Sequence, residues 1–262
     1  MNGVILAGGY GTRLLPLTKV MNKHLLPVYN KPMIYYSLST LILAGATHIL
    51  IISSDEHLKS FQNLLGDGTE FKIKIDYAVQ DKPVGIPDGL LLANKFFGKS
   101  SIILILGDNI FHGVGLGKHL RRFKEKDGCS ILGFRVADPS NYGIIELDDK
   151  MEVSKIMEKP VKSNSNIAIT GLYFFDDKYA NYASLLTPSK RGETEIVDLL
   201  NHYSNERLLN FEMLPRGTAW FDTGTIDGVH EASTYIKVVE KRTGLSIGDP
   251  YEIVNQIWAE ID

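Results

Sequence analysis

The chain has 262 residues, and 28 Lys and Arg against 31 Asp and Glu leave a formal charge of −3. Its 44% hydrophobic residues supply a large core, which excludes a chain disordered along its length. The near-neutral balance excludes a polybasic surface for nucleic acid or membranes, and a single cysteine, Cys129, excludes an intrachain disulfide.

Gly3 to Leu6 is a short, continuously apolar run, which predicts a strand buried on both faces. It is too short for a signal-peptide core, and later apolar runs fall below the ~20 residues of a membrane helix. The expectation is a cytoplasmic protein. After a long polar connection, Pro32 opens a predicted helix with Ile34, Leu38, Leu41 and Ile42 at helical spacing, ended by Gly45. His48 to Ile52 reads as a strand, and Asp55 as the N-cap of a helix through Leu65. Ile73 to Val79 and Ser101 to Leu106 are strands, with a helix over Leu90 to Phe97 between them.

This alternation predicts an α/β fold, a Rossmann-like, mostly parallel mixed sheet flanked by helices. Such sheets work at the carboxyl ends of their strands, so the loops 8–18 and 107–114 are expected side by side. The second half is richer in strands: Ser130 to Val136, Gly143 to Leu147, Val153 to Glu158 and Ile167 to Phe175. Helices follow over Lys178 to Leu186 and Glu193 to Asn205. A short strand at Phe211 to Leu214 and an apolar run ending at Trp220-Phe221-Asp222 come next. Val229, Ala232, Ile236 and Val239 then form an amphipathic stripe. No repeat or linker divides the chain. The expectation is one domain over 1–262, with a nucleotide-binding half (1–112), a β-rich half (113–225) and C-terminal helices (226–262).

Leu6-Ala7-Gly8-Gly9-Tyr10-Gly11-Thr12-Arg13 carries the strongest chemical signal. Glycines let backbone N–H groups approach an anion, and Arg13 adds a charged fork for phosphate oxygens. A dinucleotide fingerprint needs Gly where Leu14 stands, and a Walker A loop needs Gly where Arg13 stands. The failed spacing counts against an NAD(P) oxidoreductase. Lys19 and Lys23 follow in a connection long enough to imply a task. Asp108 in Gly107-Asp108-Asn109 and Asp222 in Phe221-Asp222-Thr223-Gly224 each close an apolar run, the place for a Mg²⁺-binding carboxylate or a turn former. Glu158 and Lys159 close another strand. The histidines lack paired ligand spacing, and no Gly-x-Ser-x-Gly elbow occurs, which disfavours structural zinc and serine hydrolysis.

Together these blocks resemble the sugar-phosphate nucleotidylyltransferases, and within them the glucose-1-phosphate thymidylyltransferases. The resemblance extends through Asn22-Lys-His-Leu-Leu-Pro27, Lys31-Pro-Met-Ile-Tyr-Tyr36, Leu64-Leu-Gly-Asp-Gly68, Tyr142-Gly143, Glu158-Lys-Pro160, Thr170-Gly-Leu-Tyr173, Arg191-Gly-Glu193 and Trp220-Phe-Asp-Thr-Gly-Thr225. It implies nucleotidyl transfer from dTTP to glucose 1-phosphate with Mg²⁺, a first step toward deoxysugar nucleotides such as dTDP-rhamnose. Leu6, Gly8, Gly9, Gly11, Thr12 and Arg13 are implied to hold the triphosphate, with Gln80, Pro83 and Gly85 by the base. Arg13 and Lys23 are implied to neutralise the departing pyrophosphate, and Asp108 and Asp222 to hold the metal. Asn109, Gly143, Glu158, Lys159 and Ile169 are implied to hold the sugar phosphate, and the family implies a homo-oligomer, tetramer or dimer.

This chain departs from the family at Ile86-Pro87-Asp88-Gly89, where a proline and an acid are expected to reshape the loop or delay the next helix. UTP, or another hexose 1-phosphate, is the neighbouring substrate choice. A catalytically silent nucleotide-sugar sensor is the alternative of another class.

Overall fold

The computed structural model describes residues 1–189 and 192–259. Its first elements are β1 (Asn2–Leu6), β2 (Pro27–Val28), β3 (Lys31–Pro32), α1 (Met33–Leu43), β4 (His48–Ser53), α2 (Asp55–Leu65) and β5 (Lys74–Val79). Next come α3 (Ile86–Phe97), β6 (Ile102–Leu106), β7 (Asn109–His112), α4 (Leu116–Arg121), β8 (Cys129–Arg135), β9 (Gly143–Leu147), β10 (Val153–Glu158) and β11 (Ile167–Phe175). The last are α5 (Tyr179–Ala183), α6 (Ile196–Asn205), β12 (Leu209–Met213), β13 (Ala219–Asp222), α7 (Ile226–Thr243) and α8 (Pro250–Ala259). The class is the expected one: a mixed sheet with parallel strands, flanked by helices.

Contacts divide the chain into two compact units. The first comprises 1–82, 105–122 and 217–262, and the second 83–104 and 123–216, so β6 runs from the second unit into the first.

In the first unit β1, β4 and β5 pair in parallel, with Val4 opposite Leu50 and Ile49 opposite Ile75. The apolar runs of β1 and β4 are buried on both faces, as continuous β-branched sequence requires, while β5, at the end of the sheet, buries Ile75 alone. The stripe of α7 buries Ala232 and Ile236 against Val28, Met33, Tyr36 and Ile110, with Val229 and Val239 packed at its margin. A two-stranded antiparallel ladder, β7 with β13, sets Asn109 opposite Asp222. That ladder was not expected from sequence, because its strands are short and lie about a hundred residues apart.

In the second unit β11 is buried along its whole length, between β8 and β9, both antiparallel to it. β10 pairs with β9, and β12 runs parallel to β8. Phe175, Tyr179 and Tyr203 pack together as an aromatic centre.

Some boundaries differ from expectation. Ser54, not Asp55, is the N-cap of α2, and Asp55 and Glu56 stand in its first turn, where acids complement the helix dipole. Pro87 does not delay α3: the helix starts at Ile86, because proline fits a first turn whose N–H groups have no intrahelical partner. α6 starts at Ile196 rather than Glu193. Arg191 lies outside the described residues. No helix among the described residues is long and apolar enough to cross a membrane.

Candidate active site

In the first unit the site is assembled where β1 and β6 end. The Gly107 N–H donates to the Leu6 carbonyl at 2.9 Å, which brings the loop after β1 and the loop after β6 together, as the sheet rule predicts. The connection after β1 is not free coil. It folds into three 3₁₀ turns, Thr12–Leu14, Leu17–Lys19 and Lys23–Leu25. Gly11 sits at φ 62°, a left-handed conformation that suits glycine, and the Thr18 hydroxyl donates to its carbonyl at 2.8 Å.

The last of these turns aims Lys23. Asn22 caps it, accepting from the His24 N–H at 2.9 Å, while its amide N–H donates to the Ala7 carbonyl at 2.9 Å. That orientation leaves the Asn22 oxygen to accept from His24 Nδ1 at 2.7 Å, which assigns the proton of a neutral imidazole to Nδ1. Burial lowers the His24 pKa to about 3. The ring lies so close to Gly107 that a Cβ there would come within 2.6 Å of it, so residue 107 has to be glycine. Asn22 and His24 thus hold the framework on either side of Lys23, a role the sequence reading did not give them.

Lys23 Nζ reaches the Asp108 carboxylate at 2.5 Å, with both side chains nearly buried. The other carboxylate oxygen accepts from the Asn109 amide at 3.1 Å. Burial alone would raise the Asp108 pKa, but the Lys23 charge outweighs it and holds the carboxyl well below the usual range. Asn109 is 3% exposed, and its oxygen accepts from the Trp220 indole N–H at 2.7 Å. Its side chain is therefore engaged with Trp220 and Asp108, the work of a residue that fixes the carboxylate.

Asp222, at the end of β13, accepts from the Gly224 N–H at 2.9 Å. Its pKa is raised, first by burial and then by the Asp108 charge, so the two carboxylates stand near enough to repel. The Arg13 guanidinium lies against Gly224, 2.9 Å from where a Cβ would stand, and its charge opposes that rise. The Gln80 side chain lies beside Gly8. Arg13, Lys23, Asp108 and Asp222, widely separated in sequence, thus fall into one electrostatic cluster.

The second unit gathers another set. The Gly143 Cα faces the Glu158 carboxylate, Ile169 and Val197, each within 3.6 Å of where a Cβ would stand. Lys159 adopts φ 43°, uncommon for a residue with a side chain, and its N–H donates to the Tyr142 carbonyl at 3.0 Å. Strain of this kind clusters at functional positions. The Lys159 ammonium stands 3.5 Å from Glu158 and is half exposed. Pro83 and Gly85 belong to this unit as well. Both the N–H and the hydroxyl of Thr194 donate to the Val84 carbonyl between them, at 2.8 and 3.1 Å.

The family profile described as nucleotidyl transferase matches residues 2–238. The chain belongs to the nucleotidyl transferase family. It is 48% identical over 262 residues to a glucose-1-phosphate thymidylyltransferase of Xanthomonas campestris pv. campestris, covering 99% of this chain and 89% of that one. A protein of the same name from Mycolicibacterium smegmatis is 46% identical, covering 97% of this chain and 88% of the other. A solved glucose-1-phosphate thymidylyltransferase structure from Bacillus anthracis, in complex with sucrose, superposes with a TM-score of 0.82 at 39% identity. It covers 90% of this chain and 94% of its own. As in other nucleotidyl transferases, the substrates carry phosphate charge.

Proposed function

We propose that this chain transfers the thymidylyl group of dTTP to α-D-glucose 1-phosphate, releasing pyrophosphate and giving dTDP-glucose. The observation that carries the reading is the convergence of Arg13, Lys23, Asp108 and Asp222, in a chain similar over nearly its whole length to thymidylyltransferases. In this reaction a phosphate oxygen of the sugar phosphate attacks the α-phosphorus in line. The bond from that phosphorus to the α–β bridging oxygen breaks, and the electron pair leaves with pyrophosphate. Both partners are anions, so the task is to neutralise charge and align them. The attacking phosphate is already ionised near neutral pH, and no general base is needed.

Arg13 and Lys23 neutralise the departing pyrophosphate, and the glycine loop from Gly8 to Gly11 gives its N–H groups to the triphosphate. Gln80, Pro83 and Gly85 serve the base. Gly143 leaves room beside Glu158 and Ile169 for the sugar, whose hydroxyls Glu158 accepts from, while Lys159 binds its phosphate.

The donor set suits Mg²⁺. Two carboxylates converge on a partly buried spot at the cost of mutual repulsion, and Mg²⁺ takes one or two carboxylates and completes its shell with phosphate and water. Asp108 and Asp222 would hold the ion, which supplies further neutralisation of phosphate charge when bound. The proposed setting is a cytoplasmic homo-oligomer, dimer or tetramer, feeding deoxysugar nucleotides such as dTDP-rhamnose.

Pyrophosphate release measured across dTTP, UTP, CTP and ATP with several hexose 1-phosphates tests the assignment. The expected outcome is highest kcat/KM for dTTP with glucose 1-phosphate. UTP lacks the methyl of thymine, a difference worth about 1–3 kcal/mol in a fitted pocket. Preference for CTP or ATP overturns the base assignment, and absence of turnover with every pair favours a sensor.

A further inference from the structure

Thr223 is wholly buried and gives both of its donors to one acceptor. Its N–H at 2.9 Å and its hydroxyl at 2.6 Å reach the Asp108 carbonyl oxygen. A carbonyl oxygen offers two lone pairs, so this pairing saturates it. The carbonyl belongs to the residue that carries one carboxylate, and Thr223 directly follows the residue that carries the other. Beside it, Trp220 holds Asn109, which holds the Asp108 carboxylate, and the β7·β13 ladder sets Asn109 opposite Asp222. The Asp108 charge acts against the Asp222 carboxylate, so the turn at Asp222 would relax outward without a fixed tie to the Asp108 strand end.

We infer that Thr223 is a positioning residue for the carboxylate pair: its double donation ties the Asp222 turn to Asp108 and sets the separation at which a divalent cation is bound. The inference rests on the proposed reading of Asp108 and Asp222 as the cation's ligands. Thr223 gives its hydroxyl and its N–H to the Asp108 carbonyl, and so acts through the backbone on which one ligand stands. Outer partners of this kind commonly change metal affinity about 10–100-fold when lost.

Thr223→Val keeps the β-branched shape and the N–H but removes the hydroxyl, and Thr223→Ser restores it. Mn²⁺ binding in the presence of dTTP, followed by the electron paramagnetic resonance signal of the free ion, reads the tie without turnover. Thr223→Val is expected to weaken Mn²⁺ binding about tenfold, with Thr223→Ser within about threefold of the parent. At saturating Mn²⁺ the KM for glucose 1-phosphate stays within about twofold, since a tie between carboxylates has no sugar contact to lose. A Thr223→Val protein that melts earlier but binds Mn²⁺ like the parent overturns the inference, because the hydroxyl is then only structural. Should that variant not fold, Thr223→Ala gives the same readout. Asp108→Asn separates the two claims. If it keeps the parent's Mn²⁺ affinity, the ligand reading fails and the inference with it. If it loses affinity while Thr223→Val does not, the inference alone fails.

Discussion

Lys23 and Asp108 meet at 2.5 Å across 85 residues of chain, and both side chains are nearly buried. Such a pair is costly to break by halves, since removing one partner strands a buried charge at about 3–5 kcal/mol. In the proposed reading, triphosphate at this cluster would offer Lys23 a second anion, and a cation at Asp108 would repel the ammonium. The pair therefore describes a resting arrangement in which each charge is held ready by the other.

Asp108→Asn keeps the shape and removes the charge. Turnover is expected to fall by on the order of 10²–10³ or more, in line with the loss of a preorganised electrostatic group. Lys23→Met is expected to match it in kcat, and both substitutions are expected to lower the melting temperature, because each leaves the other charge nearly buried without its partner. Steady-state kinetics beside thermal unfolding check both, and unchanged kcat in Asp108→Asn refutes the charge role.

The second unit makes a separable prediction. Lys159 is half exposed, so Lys159→Ala leaves little buried charge behind and is expected to change the melting temperature little. The substitution also places a small residue at φ 43°, a conformation it tolerates no better than lysine does. With the proposed sugar-phosphate role, the KM for glucose 1-phosphate rises at least tenfold while the KM for dTTP stays within about threefold. Equal rises for both substrates place Lys159 elsewhere in the reaction.

Much of this was legible in the sequence, for definable reasons. Ile102 to Leu106 and His48 to Ile52 are β-branched runs with one good solution, a buried strand. The α7 stripe shows in its three- and four-residue steps. The meeting of the loops after β1 and β6 followed from the sheet rule, and the Gly107 to Leu6 hydrogen bond realises it. Tertiary partners were less legible. Asn109 to His112 is too short to declare itself a strand until Ala219 to Asp222 lies beside it. Asn109 was expected among the sugar-phosphate contacts, and only the fold shows its side-chain oxygen accepting from Trp220 while its amide donates to Asp108. Thr223 was hidden inside a turn motif whose residues all suit a helix start. His24 carried no metal-ligand spacing, and neither its hydrogen bond to Asn22 nor its close approach to Gly107 shows until the chain is folded.

That buried histidine makes the last prediction, for stability against pH. In the unfolded chain its pKa is near 6.5, whereas burial lowers it to about 3 in the fold. The unfolded state therefore binds more protons below pH 6.5, and stability falls as pH drops from about 6.5 toward 3. Each pH unit in that window costs about 1.4 kcal/mol, hence about 2 kcal/mol between pH 6.5 and 5. His112, whose pKa burial also lowers, adds a loss of the same sign. Asp108 acts lower: its depressed pKa contributes stability that is present above the unfolded carboxylate range and lost only beneath it. Urea unfolding at pH 7, 6 and 5 measures the slope. His24→Gln is expected to be less stable than the parent at pH 7 but to lose clearly less between pH 6.5 and 5. A variant with the parent's slope means that the acid sensitivity arises at other groups and that His24 is not held neutral.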